Sequence, residues 1–192
     1  MTKAFLKSIQ ILVITIILIA TCTVAMAQPR AIGGRIGPSF GPSYQHQIGE
    51  KSMIQADLDF LIYGLWGAQG TVTFNWIIPL VDVSAGQLNL YPGVGVGGGY
   101  EWWNWGGWRG SHLYNGGYGT GFVGVAGMIG LEWNFKFPLQ LSLEYRPLLG
   151  VQFQKTYKDS YYYNPGVTAG FYYNGLYISA IAVGVRYKFG GK

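Results

Sequence analysis

Cysteine occurs once among the 192 residues, at Cys22, histidine twice, at His46 and His112, and proline eight times. Charged residues make up 11% of the chain, against about 25% in an ordinary soluble domain. Two isolated histidines, without further cysteines or clustered carboxylates, do not make a metal site. No cofactor is expected. Aromatic residues are plentiful, with 15 Tyr, 10 Phe and 7 Trp. That excludes a disordered chain, which has few aromatics and much charge. The 31 glycines do not recur every third residue, so a collagen-like chain is excluded too. An ordinary helical domain fits poorly, because glycine costs about 1 kcal/mol at each helix position.

What is present begins with a three-part leader. Lys3 and Lys7 precede the apolar run Ile11 to Ala20, and Ala25-Met26-Ala27 follows. This is the layout of a secretory signal peptide. The apolar run is shorter than the ~20 residues a membrane-spanning helix needs, so residues 1–27 are expected to be removed. Cys22 sits in a context loosely like a lipoprotein acylation site, with a bulky Thr21 before it. Cleavage after Ala27 would leave a chain without cysteine. Without Lys3 and Lys7, 11 of the 13 basic residues remain against 8 acidic ones, a net charge of +3. That excess is too small to argue for nucleic acid.

Residues 28–192 alternate with period two, the mark of strands. In Leu176 to Phe189, Ile181, Val183, Val185, Tyr187 and Phe189 share one face, and Ala182, Gly184, Arg186 and Lys188 the other. Phe122 to Phe135, Leu139 to Arg146, Gly70 to Ile78 and Met53 to Tyr63 behave alike. Ala31 to Gly37, Pro42 to Ile48 and Asn89 to Trp103 complete eight strands. The second face is built from Gly, Ala, Ser and Thr with isolated charges, too small for a solvated surface. Inverted, the pattern fits: large apolar residues face lipid and small ones fill a narrow lumen. The fold class expected is all-β, a closed antiparallel eight-stranded transmembrane barrel of up-and-down topology, since only closure pairs every backbone group in lipid.

With the N-terminus periplasmic, the outer connections fall at Phe40-Gly41, Leu65 to Gln69, Asn104 to Thr120 and Gln154 to Gly175. The inner turns fall at Gly49 to Ser52, Val81 to Leu88 and Lys136 to Pro138. Trp76, Tyr91, Trp133, Phe135, Tyr187 and Phe189 group near the inner rim, as an aromatic belt requires. Pro147 lies inside the seventh strand, where its missing N–H predicts a bulge or break.

The last strand ends Val185-Arg186-Tyr187-Lys188-Phe189, and an earlier segment reads Leu141-Ser142-Leu143-Glu144-Tyr145-Arg146-Pro147. On these the mature chain resembles the small eight-stranded outer-membrane barrels of Gram-negative bacteria, the size class of the OmpX- and OmpW-like proteins. The resemblance implies an outer-membrane location reached through the periplasm, contact with outer-membrane lipid, and a final strand read by the barrel-assembly machinery through Tyr187 and Phe189. Gly190-Gly191-Lys192 follows that Phe, a departure from the pattern. Members of the group serve structural, adhesive or small-molecule-passage roles.

By parity, the inward charges are Arg35, Asp57, Asp59, Glu101, Glu132, Glu144, Arg146, Arg186 and Lys188. An eight-stranded barrel is only just wide enough for its own side chains, so a salt-bridge plug is expected, with a proton or ion path as the other reading. Trp103, Trp105 and Trp108 together with Tyr161, Tyr162 and Tyr163 make the outer loops aromatic, either self-packed or a contact surface for sugar, lipid or protein. Ser111-His112 would suit a lipid hydrolase, but nothing else supports catalysis and no enzyme is expected. The run Gly93 to Gly99 lacks the helix and acidic residue of a nucleotide loop. Exported in a Gram-negative host, the mature protein should have an intact mass beginning at Gln28. A mass retaining Ile11 to Ala20 would overturn the cleavage.

Overall fold

A computed structural model describes residues 29–61, 65–104, 119–157, 165–174 and 180–190. Eleven strands follow in chain order: β1 (Arg30–Ile36), β2 (Ser39–Gly49), β3 (Ser52–Leu61), β4 (Leu65–Trp76), β5 (Ile78–Val83), β6 (Gly86–Asn104), β7 (Thr120–Phe135), β8 (Leu139–Tyr145), β9 (Leu148–Tyr157), β10 (Pro165–Asn174) and β11 (Ile181–Phe189). Each pairs antiparallel with its neighbours. The circuit β1-β2-β3-β4-β6-β7-β8-β11 closes because β11 pairs back onto β1, from Arg30 opposite Phe189 to Ile36 opposite Val183. The fold is therefore all-β, a closed eight-stranded antiparallel barrel with up-and-down order.

Three of the eight staves are each split in two. β5 continues the fourth stave beyond Ile77 and pairs with β6 alone. β8 and β9 make one stave interrupted at Arg146-Pro147, and β10 and β11 make the last. Pro147 produces no register shift against β7: Ile129 faces Tyr145 and Ala126 faces Leu148, so three residues on one side match three on the other. Gly127 N–H still donates to the Pro147 carbonyl at 2.8 Å. A Cβ on Gly127 would come within 3.2 Å of the Pro147 ring, so glycine there lets the proline stay in line. The break expected at Pro147 is present, since β8 ends at Tyr145 and β9 begins at Leu148, but it carries no bulge against β7. In the next stave β10 leaves Leu148 at Asn174 and β11 begins opposite Tyr145 at Ile181. Seven residues on that stave match three on its neighbour.

Several connections also move. The first turn is at Gly37-Pro38, and Phe40-Gly41 belong to β2, paired along their length with β1. Leu65 to Gln69 is the start of β4, and strand pairing continues through Val81 and Leu88 around Ser84-Ala85. Much of Gln154 to Gly175 is the β9–β10 ladder. Glycines and polar residues at these positions resemble turn formers, but cross-strand pairing outweighs the local preference.

Alternation decides the two faces. Ile32, Val72, Val96, Val125, Leu143 and Val183 point out and are exposed, while Arg35, Gln55, Thr73, Asn89, Ser142 and Arg186 point in and are buried. Tyr91 departs from its expected place at the rim. Its parity turns it inward, where it is completely buried. It sits across from Gly130, whose added Cβ would lie 2.2 Å from the ring. Filling that space in Gly130→Val should cost about 1–3 kcal/mol by overpacking, read as a lower urea midpoint. Outward Gly121, whose Cβ would have only ordinary contact at 3.9 Å, should tolerate valine within about 0.5 kcal/mol.

Candidate functional site

The lumen is organised by one carboxylate. Glu144, on β8, accepts from five side chains. Its Oε1 takes Arg186 Nη2 at 2.5 Å, Tyr91 Oη at 2.7 Å and Ser142 Oγ at 2.7 Å. Its Oε2 takes Arg35 Nε at 2.6 Å and Gln55 Nε2 at 3.2 Å. The donors come from β1, β3, β6, β8 and β11, because each strand presents alternate residues to the same narrow axis. Arg35 also holds Asp59 at 2.9 Å. Arg146 pairs with Asp57 at 2.6 Å and with Asp59. Arg186 reaches β2 through Ser43 Oγ at 2.9 Å.

Three arginines thus meet three carboxylates, all nearly or wholly without solvent contact. Burial of a lone charge would cost several kcal/mol, and only mutual pairing offsets it. Glycine makes the room. A Cβ on Gly184 would meet Ser142 Oγ at 2.3 Å and Arg186 Nη1 at 2.7 Å.

The remaining inward charges lie outside this ring of pairs. Glu132 is buried toward the rim that carries Arg30, and amides hold it: Asn134 Nδ2 at 2.6 Å, Gln140 Nε2 at 2.6 Å and Asn89 Nδ2 at 3.1 Å. It has no ion pair among the described residues. Gln140 also donates to Gln45, which donates to Gln55, so the amides connect with the Glu144 centre. These groups line a polar cavity of about 320 Å³ at the rim. Lys188 is half-buried there and bonds to the Phe135 carbonyl at 2.5 Å. Toward the other rim, Glu101 accepts from Tyr172 Oη at 3.0 Å. Tyr172 stacks on Phe122 with ring centroids 4.2 Å apart, and Leu148 packs beside them.

Of the nine charges placed inward by parity, six are therefore brought together and three sit in separate layers. Tyr91, Gln55, Ser43 and Ser142 belong to the centre but were not singled out in the sequence. Their inward parity was legible; their partners were not. Tyr187 is exposed on the outer wall and Phe189 is half-buried, both on the strand that forms the closing seam. Trp103 is the last residue but one of β6, its side chain outside the described residues, as are Trp105, Trp108, Ser111, His112, Tyr161, Tyr162 and Tyr163. Searches of protein-family models, of curated proteins and of solved structures each find no match to the chain.

Removing the Glu144 carboxylate should be the most damaging single change in the lumen. Glu144→Ala leaves Arg35 and Arg186 short of an acceptor and should cost about 3–5 kcal/mol. A double-mutant cycle with Arg186→Met, followed by urea unfolding, should return a coupling of about 0.5–3 kcal/mol. Additive losses would show that the pair is not coupled.

Proposed function

We propose that the chain is an integral outer-membrane protein whose barrel is stabilised and closed by its lumen charges, with a structural or surface-binding role through aromatic residues beyond the described strands. The observation that carries this reading is the inverted distribution of polarity. Among the described residues, 31 large hydrophobic side chains are exposed, whereas 19 polar or charged ones are buried against 11 hydrophobic ones. A water-soluble protein rarely exposes an apolar patch beyond a few hundred Å². The apolar wall calls for lipid, and the pairing of β11 with β1 closes the two strands that would otherwise be open edges.

Aromatic clustering at the rim bearing Arg30 agrees with this. Phe74 packs edge-on to Trp76, and Trp133, Phe135 and Phe137 follow one another at centroid distances of 6.2 and 4.8 Å. Aromatic rings prefer the level of the lipid headgroups. Six strands contribute to the Glu144 centre, namely β1, β2, β3, β6, β8 and β11. Side chains linked from so many sides leave little room for a water column, which favours a plug over a conducting path.

A second reading, a narrow lateral passage for small hydrophobic molecules, draws on a different feature. Among the described residues β10 pairs only with β9, and Phe122, Leu148 and Tyr172 make the lumen beside it apolar. Two measurements separate the possibilities. The refolded protein should float with liposomes in a sucrose gradient and migrate differently on a gel before and after boiling. Recovery in the soluble fraction with no such shift would sink the membrane reading. In planar bilayers the wild type should be silent. Steady conductance, abolished by substitutions at Phe122 or Tyr172, would favour the passage.

A further inference from the structure

The lumen is not filled to its end. At the rim bearing Arg30 it opens into the polar cavity of about 320 Å³, a size at the small end for ligand pockets. Two charges of opposite sign line it, Glu132 from β7 and Lys188 from β11. All six charges of the Glu144 centre are in ion pairs, whereas neither Glu132 nor Lys188 enters one among the described residues. The rim pair is therefore the exception to the pairing that organises the lumen.

The groups around them do not neutralise either charge. Glu132 is buried, and its described partners are three neutral amides, those of Asn89, Asn134 and Gln140. Lys188 donates to the Phe135 carbonyl at 2.5 Å, and an ammonium has further N–H groups to give. Asn89 adds an acceptor in need of a donor. Its amide nitrogen donates to Glu132 at 3.1 Å, while its Oδ1 has no hydrogen-bond partner, in a side chain only 4% exposed. A buried acceptor left without a donor carries the full desolvation cost of that group.

The cavity thus has two poles. Asn89 and Glu132 are cross-strand partners on β6 and β7, which sets a carboxylate without a counter-ion beside an amide oxygen without a donor. Lys188 on β11 supplies the other pole. A cation alone would be repelled by Lys188, and an anion alone by Glu132. Water would satisfy the amide oxygen but leave both charges unmatched. The other charged residues lining the cavity, Arg30 and Glu50, are one of each sign and leave the balance unchanged. We propose that the rim cavity binds a small zwitterion, a free amino acid or dipeptide, with its ammonium on Glu132 and Asn89 Oδ1 and its carboxylate on Lys188. The site lies inside the closed barrel, so it does not depend on whether the wall faces lipid.

Calorimetric titration of the refolded barrel in detergent with L-alanine and with L-alanyl-L-alanine tests it. Saturable binding of at least one is expected, and binding of neither overturns the site. For the probe that binds, the N-acetylated form and the C-terminal amide should each bind about tenfold more weakly. A capped form that binds as well as the free one overturns the proposal. Lys188→Met should bind the free and amidated forms alike, and Glu132→Gln should bind the free and acetylated forms alike. A merely structural role would move affinity for all forms together. Asn89→Ala, which should weaken the free ammonium form but not the acetylated one, keeps the ammonium seat testable if Glu132→Gln fails to fold. Wild-type preferences retained in these variants place the ligand elsewhere and overturn the site. Putrescine and succinate, each of one sign, should not compete, and competition by either would mark a plain ion site instead.

Discussion

The Glu144 carboxylate is the constraint to which most of the lumen answers. An eight-stranded barrel brings inward side chains from all sides onto one axis, and there is no bulk water there to solvate them. Arg35 and Arg186 arrive from β1 and β11 and need an acceptor, and Glu144 accepts from both. Because β1 and β11 are the two strands that close the barrel, the same carboxylate ties the closing seam to the wall at β8. The polar layers follow: Gln55 connects the centre to Gln45, Gln140 and Glu132 on one side. Asp57 and Asp59 balance Arg146 on the other.

Space is the matching constraint. Three guanidiniums and a tyrosine ring cross the same interior, and the strands make room by omitting side chains. Gly130 lies under Tyr91, and Gly184 lies beside Ser142 and Arg186. The glycine excess therefore has two meanings. Inward, glycine is demanded by atoms already in place. Outward, at Gly70, a Cβ would meet nothing within 4 Å, so glycine there is optional for packing, and the two kinds call for different explanations.

Legibility varied with the range of the interaction. Parity along one strand placed Arg35, Asp57, Asp59, Glu144, Arg146 and Arg186 inward, because alternation is a property of a single extended segment. It also turned Tyr91 inward, yet aromatic character alone suggested the rim. That local preference lost to the bond with Glu144 and the vacancy over Gly130. Pro147 was legible as a break: strand structure stops at Arg146-Pro147 between β8 and β9. What one strand could not show is that Gly127 on the neighbouring strand leaves room for the proline, so the register against β7 continues without a slip. Turn positions at Phe40-Gly41 and Leu65 to Gln69 failed because register is set by partners far off in the chain.

The sequence by itself determined the all-β class, the number of staves and the face on which each residue stands. Period-two alternation, scarce charge and abundant glycine are local and compositional facts, and they survive without knowledge of any partner. Only the tertiary structure decided which charges meet, which stave carries the slip, and where the lumen is hollow. Those outcomes depend on the stagger of one strand against the next. A one-residue shift would exchange the faces of a whole strand, and a two-residue shift would keep the faces but change every partner.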